Sequence, residues 1–339
     1  MRAVLVPTDI DPGLPPAGSR LHAVRGTSMG TDWSARLVLP PGVEHDLQGA
    51  LQQELDAIVA QMSHWDEGSL LSRYNRAPAG SWHALPPQFF AVMAYALSVS
   101  GDTGGAYDPA AGALVNLWGF GPAGRYDQAG FYAPSRDAVD AVLARHHTRQ
   151  PLLDREGQRL LQPGGAVLDL SSVAKGHAVD CLARRLEALD LRHYLVEVGG
   201  ELRGAGVKPD GQPWWVELEG VPDAPGAPVA PVAQSVVALH GLAVATSGDY
   251  RRYFHHAHRR ASHTLDPRTG YPVDNGIASV TVLAPTCMTA DALSTALTVM
   301  GVEAGLPFAE GRGLAARFLL REDGGLREVL TPAWRALLQ

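Results

Sequence analysis

The segment Val280–Gly301, VTVLAPTCMTADALSTALTVMG, constrains this chain more than any other. A β-branched run ends at Ala284-Pro285. Thr289 then opens an apolar helix over 289–300 that carries Asp291 and Thr295. Residues four apart stack on one helix face about one turn up. A carboxylate and a hydroxyl stacked among Ala, Leu, Val and Met have two explanations. Hard cations such as Mg²⁺ take oxygen ligands, usually one or two carboxylates plus substrate phosphates. Alternatively, Asp291 sits in the first turn, where negative charge suits the helix dipole, and Thr295 only packs. On this segment alone both readings stand.

Apolar residues at helical spacing (Leu47, Leu51, Leu55, Ile58, Met62) predict a helix over 46–62, with Asp46 as its N-cap. Further helices are expected over 87–100, over 135–145 behind a Ser135 cap, and within 172–189. His22–Leu39 reads as two strands around a Gly-Thr turn. Strands are also expected over 193–198, 202–206, 214–218, 236–246, 277–284, 315–320 and 328–330. The stretches 221–233 and 262–275 read as loops. Strands and helices interleave without a βαβ rhythm. The expected class is therefore α+β, with mixed, largely antiparallel sheets and packed helices. Residues 1–20 read as a flexible Pro/Gly arm, and 21–339 as a single domain.

With 46% hydrophobic and 19% charged residues, the 339-residue chain is globular rather than disordered. Net charge is −7 and no long Lys/Arg run occurs, which argues against non-specific nucleic-acid binding. Two cysteines, Cys181 and Cys287, make neither a disulfide framework nor a zinc site. The N-terminal apolar run AVLV stops at Pro7, short of the apolar core that a signal peptide needs. No cysteine follows it to accept lipid, and no apolar run reaches the roughly 18 residues of a membrane span. The expectation is a cytoplasmic protein, or a periplasmic one if a leader was removed.

Other motifs are ambiguous one by one. Gly119-Phe-Gly-Pro-Ala-Gly124 matches G-x-G-x-x-G, but Pro122 and the loop-like sequence after it deny the strand-and-helix context of a dinucleotide fingerprint. Gly26-Thr-Ser-Met29-Gly-Thr31 is either a small-residue turn that lets backbone approach a ligand or a hairpin with Met29 filling a core gap. Asp108, held extended before Pro109, either accepts hydrogen bonds from a ligand or merely turns the chain. Lys175, at the start of a helix, either meets a phosphate as a point charge or is solvated. His255, His256, His258 and His263 crowd among arginines, without the cysteines or carboxylates of a zinc site. The first three read as a surface loop. His263 differs because it opens the rigid segment HTLDPRTG.

Taken in order, GTSMGT, MSHWDEGSLLSRYN, GGAYDPAAGALVNLWGFGP, LDLSSVAKGHAVD, VEVGGELRGAG, ATSGDYRRYF, SHTLDPRTGYPV and SVTVLAPTCMTADALSTA resemble the FAD:protein FMN transferase (ApbE-type flavin transferase) family over roughly residues 22–320. The resemblance implies an ApbE-like fold with an FAD/Mg²⁺ site between lobes. It implies transfer of the FMN half of FAD to a Thr or Ser hydroxyl of an acceptor flavoprotein, with release of AMP. It implies Mg²⁺ held by the Ser172 backbone carbonyl, Asp291 and Thr295. It implies FAD contacts at Met29, Trp65, Asp66, Glu67, Asp108, Lys175 and the Leu265 backbone, and His263 as general base. With water as acceptor, the same site would give an FAD pyrophosphatase yielding FMN and AMP. An FAD-binding protein without turnover is a third reading, which the intact Asp291/Thr295 pair disfavours.

Overall fold

The fold is given by a computed structural model that describes residues 3–7, 10, 13–43, 45–148, 150–221, 235–256, 259–323 and 325–339. In chain order, β1 (Ala3–Leu5) precedes the hairpin β2 (Arg20–Ser28) and β3 (Thr31–Leu39). Helices α1 (Leu47–Met62) and α2 (Leu70–Asn75), strand β4 (Ser81–Ala84) and helices α3 (Pro87–Asp102), α4 (Gly112–Leu117) and α5 (Arg136–Thr148) follow. Next come β5 (Leu152–Asp154), β6 (Arg159–Gln162), α6 (Ala174–Ala188), β7 (Tyr194–Val198), β8 (Glu201–Ala205) and β9 (Trp214–Glu217). Then β10 (Ser235–Leu239) and β11 (Leu242–Gly248) lead to two short hairpins, β12 (Tyr253–His256) with β13 (Arg259–Ser262) and β14 (Leu265–Asp266) with β15 (Tyr271–Pro272). The chain ends with β16 (Ile277–Ala284), α7 (Cys287–Gly311), β17 (Ala315–Glu322), β18 (Gly325–Leu330) and α8 (Pro332–Arg335).

An eight-stranded sheet in the order β18-β17-β16-β11-β8-β7-β3-β2 organises the molecule, and every neighbouring pair in it is antiparallel. The class is α+β, as the irregular rhythm of elements implies. Every residue of β16 is buried, which a central strand covered on both faces requires. Helix α7 packs on β11 and β16, α6 packs on β7 and β8, and the two helices pack on each other. The largest apolar cluster joins Leu51, Leu55 and Ile58 of α1 to Val179 and Leu182 of α6 and to Val196 of β7. Asp46 caps α1, accepting the Gly49 N–H at 2.9 Å.

Residues 1–20 are not a loose arm throughout. The apolar run that opens the chain pairs parallel with β10, and Leu5 is fully buried against Leu239 and Trp334. The single strand expected over 236–246 is two strands that turn at His240-Gly241, where Gly241 takes φ +69°. The histidine-rich stretch is the hairpin β12–β13, with His255 and His256 exposed; His258 lies outside the described residues.

Helix α7 is long and apolar enough by composition to cross a membrane, but 56% of its most apolar window is buried within the fold. It is also interrupted. Gly301 adopts φ +74°, ψ 171°, so the helix breaks where the expected one ends. Asn275 donates to the Thr298 carbonyl at 2.9 Å, satisfying one group freed by the break.

Candidate functional site

Helix α7 begins earlier than its sequence suggests. Thr286 is the N-cap, accepting the Thr289 N–H at 3.3 Å, and Cys287 is the first helical residue. Asp291 therefore lies beyond the first turn, and the helix-dipole explanation for it falls away. Its carboxylate turns to α6 instead and accepts the Gly176 N–H at 2.9 Å. Asp291 is buried, and Thr295 is half-buried one turn further along the same helix.

The first turn of α7 is satisfied by a residue from another helix. Asp180 of α6 accepts the Cys287 N–H at 3.0 Å and the Met288 N–H at 2.9 Å, and pairs with Arg203 of β8 at 2.8 Å. Gly176 makes this approach possible. A Cβ there would stand 2.4 Å from the Cys287 carbonyl oxygen and 2.7 Å from the Asp291 Cβ.

Strand β8 holds α6 from its other side. Glu201 pairs with Lys175, and Arg203, two residues on, pairs with Asp180. Alternation puts both β8 side chains on one face. Glu201 is buried, and its second carboxylate oxygen has no partner among the described residues. Burial raises the Asp291 pKa, and the charge of Glu201 raises it further. Lys175 and the Gly176 N–H oppose this, but the Lys175 ammonium is shared with Glu201, on which Arg251 also acts. Ser172, just ahead of α6, lies beside the buried Tyr107 phenol, on which the charges of Asp291 and Asp169 also act.

His263 follows β13, and its backbone N–H donates to the Arg252 carbonyl at 3.0 Å. Its Nδ1 lies 3.2 Å from the same carbonyl oxygen. A carbonyl can only accept, so Nδ1 carries the proton and Nε2 keeps its lone pair. Burial pushes the His263 pKa down to about 4, and the charges of Arg252, Lys175 and Arg251 push the same way. The imidazole is neutral near pH 7. Phe120 meets it edge-on at 6.3 Å between ring centroids, and Leu265 is buried with Phe120 and Trp118.

The structure thus joins Asp291, Ser172, Lys175 and His263 into one electrostatic neighbourhood, with Thr295 one turn from Asp291. The loop of Trp65, Asp66 and Glu67 is fastened to the Ser172 segment through His64, whose Nδ1 lies 3.5 Å from an Asp169 carboxylate oxygen. Trp65 is exposed under the Arg125 guanidinium, 5.7 Å from the ring centroid. The Asp66 carboxylate accepts the Gly68 N–H at 2.8 Å, and Glu67 offers its carbonyl to Arg76. Met29 sits at the β2–β3 turn with φ +54°, partly packed on the main core. Asp108 accepts the Ala110 N–H and meets His146 of α5 at 3.1 Å, both side chains nearly buried.

Four residues of this neighbourhood escape sequence reading: Glu201, Asp180, Asp169 and His146. The available signals are slight. Glu201 opens a strand directly after Gly199-Gly200, and Asp180 follows Gly176 by one helical turn. The Gly119–Gly124 segment follows α4 and no helix opens at its end, in line with the rejection of a dinucleotide fingerprint. Among the described residues, no three His, Cys, Asp or Glu side chains cluster as metal ligands. A metal here would rely on a single carboxylate, other oxygens and a ligand's own phosphates, which is the habit of Mg²⁺.

Comparison with known proteins gives the class first: this is an enzyme, a transferase. The chain belongs to the ApbE family, whose model matches residues 29–318. It is 36% identical to the FAD:protein FMN transferase of Vibrio cholerae over 316 residues, covering 92% of this chain and 91% of the relative. The protein of that name from Escherichia coli K12 is 33% identical over 335 residues, covering 95% and 92%. Among solved structures, the Pseudomonas stutzeri flavinyl transferase ApbE matches with a TM-score of 0.83 at 38% identity, covering 94% of this chain and 97% of that one. The Vibrio cholerae flavin transferase ApbE matches with a TM-score of 0.84 at 33% identity, covering 94% and 100%.

Proposed function

We propose that this enzyme transfers the FMN half of FAD to a Thr or Ser hydroxyl of an acceptor flavoprotein and releases AMP, in a Mg²⁺-dependent reaction. The observation that carries this reading is the Asp291 environment. The charge of buried Glu201 acts on the buried Asp291 carboxylate, and Lys175, already paired with Glu201, is the cation that opposes it at Asp291. An added cation suits that imbalance. The donors that would hold Mg²⁺ are the Asp291 carboxylate, the Thr295 hydroxyl and the Ser172 carbonyl, all hard oxygens. Once bound, Mg²⁺ supplies charge neutralisation on the pyrophosphate oxygens.

The chain's own residues account for the rest. Lys175 presents an ammonium to a phosphate as a point charge. His263 is neutral with Nε2 free to take a proton, as a general base requires. The acceptor hydroxyl oxygen attacks the phosphorus of the FMN phosphate, and His263 takes the hydroxyl proton. The bond from that phosphorus to the bridging oxygen breaks, and AMP leaves with the oxygen. The names of the relatives support the choice of FAD as donor and of a protein as acceptor. Trp65, exposed on its loop, offers a ring face for stacking on FAD.

Incubation with FAD and Mg²⁺, with and without an acceptor carrying a threonine in a flavinylation motif, tests the reading. Covalent flavin on the acceptor is expected. AMP formed equally without acceptor would make the enzyme a pyrophosphatase. FAD binding with neither product would leave a binding protein.

A further inference from the structure

Helices α6 and α7 cap each other. The Gly176 N–H in the first turn of α6 is satisfied by Asp291 of α7, at 2.9 Å. The Cys287 and Met288 N–H groups in the first turn of α7 are satisfied by Asp180 of α6, at 3.0 and 2.9 Å. Gly176 and Asp180 are four apart on α6, and Cys287 and Asp291 are four apart on α7, so each pair shares a helix face. The contacts cross in opposite chain directions, which fixes both the spacing and the rotation of the two helices. First-turn N–H groups have no partner within their own helix, so buried ends need such acceptors.

We infer that Asp180 is a positioning residue for the proposed metal site: by capping α7 it sets where Asp291 and Thr295 stand relative to Lys175 and Ser172 on the α6 side. This inference rests on the Mg²⁺ site of the proposed function. Asp180 is buried, and it is committed on both oxygens, Oδ1 to Cys287 and Arg203 and Oδ2 to Met288. It touches no reacting atom. It acts through the helix, as outer groups do when they hold a ligand in place. Arg203, from the strand that also supplies Glu201, pairs with Asp180 at 2.8 Å and holds its carboxylate in place.

Asp180→Asn tests it with little change in volume. An amide keeps one acceptor oxygen and turns an N–H₂ toward a helix N–H, so one of the two caps is lost. The readout is Mn²⁺ binding to the full chain, followed by calorimetry and by the paramagnetic resonance of free Mn²⁺, alongside FAD binding without metal. Asp180→Asn is expected to weaken Mn²⁺ binding by about tenfold, the lower end of what outer-group losses cost. FAD affinity without metal is expected to stay within about twofold of wild type. Equal Mn²⁺ affinity in a variant whose melting temperature has fallen would reduce Asp180 to a purely structural role and overturn the inference. So would a wild-type chain that binds no Mn²⁺. If Asp180→Asn does not fold, Arg203→Gln replaces it, leaving both caps but removing their ion partner. A loss of about threefold in Mn²⁺ affinity is expected there, and an unchanged constant overturns the inference. Failure of flavin transfer with Mn²⁺ binding still sensitive to Asp180 would refute the proposed reaction and leave the positioning role intact.

Discussion

Lys175 and Glu201 form an ion pair in which the carboxylate is buried and the ammonium is only partly exposed. The lysine expected to meet a phosphate is thus already oriented by strand β8. Removing it affects stability and binding separately. Lys175→Ala leaves Glu201 buried without its counter-ion, which costs about 3 kcal/mol. The double variant Lys175→Ala/Glu201→Gln removes the stranded charge and regains most of that stability. Neither variant regains FAD affinity. Urea unfolding and FAD fluorescence quenching check the two halves. A double variant that binds FAD like wild type would refute the phosphate contact of Lys175.

His263 is expected to act on the chemical step. His263→Ala lowers kcat by about 100-fold or more, while the FAD dissociation constant stays within about twofold. Its free-enzyme pKa is pushed down to about 4, so the neutral, proton-accepting form dominates above that value. kcat/KM for FAD therefore rises with pH along a limb below the ordinary histidine value of 6.5 and is level at neutral pH. A limb centred above pH 7 that vanishes in His263→Ala would contradict this account of the histidine.

Acid lability is predicted at His177, buried in α6 with Nε2 3.3 Å from the Cys181 sulfur. Burial lowers its pKa from 6.5 to about 4, with the Arg184 charge helping. Between those values the unfolded chain binds the proton and the folded chain does not. The stability that His177 contributes is therefore complete above pH 6.5 and falls away as pH drops toward 4. The change is about 3 kcal/mol across that window. In His177→Gln the unfolding free energy should vary less steeply with pH between 6.5 and 4; an identical slope would remove His177 as the cause.

Gly176→Ala probes the contact between the two site helices. Its new Cβ would meet the Cys287 carbonyl oxygen and the Asp291 Cβ, both backbone-near atoms that cannot swing aside. A destabilisation of about 1–3 kcal/mol is expected, despite alanine's better helix propensity. A chain as stable as wild type would show that the helices separate easily at this point.

The parts of this architecture that were legible in sequence are those set by neighbours in the chain. Asp46 caps α1 because its partner, Gly49, is three residues away. The β2–β3 hairpin and the buried strand β16 follow from local pattern. Two threonines compete at the start of α7, and Thr286 wins because Asp180 is present to take the next N–H groups. That partner lies 107 residues away, as remote from local pattern as the 115 residues between Gly176 and Asp291. Glu201 was hidden for the same reason, being 26 residues from Lys175. The hairpin β12–β13 offers no buried apolar alternation in its first strand, where Tyr253 and Phe254 are half-buried and both histidines exposed, so it read as loop. For the candidate site, the ordered motifs name candidate residues one by one, and the fold adds the capping and pairing between them.

The central claim is that the Asp291 site turns FAD into a donor of FMN for a protein hydroxyl. Its most direct measurement is in-gel flavin fluorescence of a threonine-bearing acceptor after incubation with FAD and Mg²⁺, using wild type and Asp291→Asn. The account predicts a fluorescent acceptor band with wild type, no band without Mg²⁺, and a band at least about 100-fold weaker with a folded Asp291→Asn. A band of equal strength from Asp291→Asn, or AMP released by wild type with no flavin on the acceptor, would contradict it.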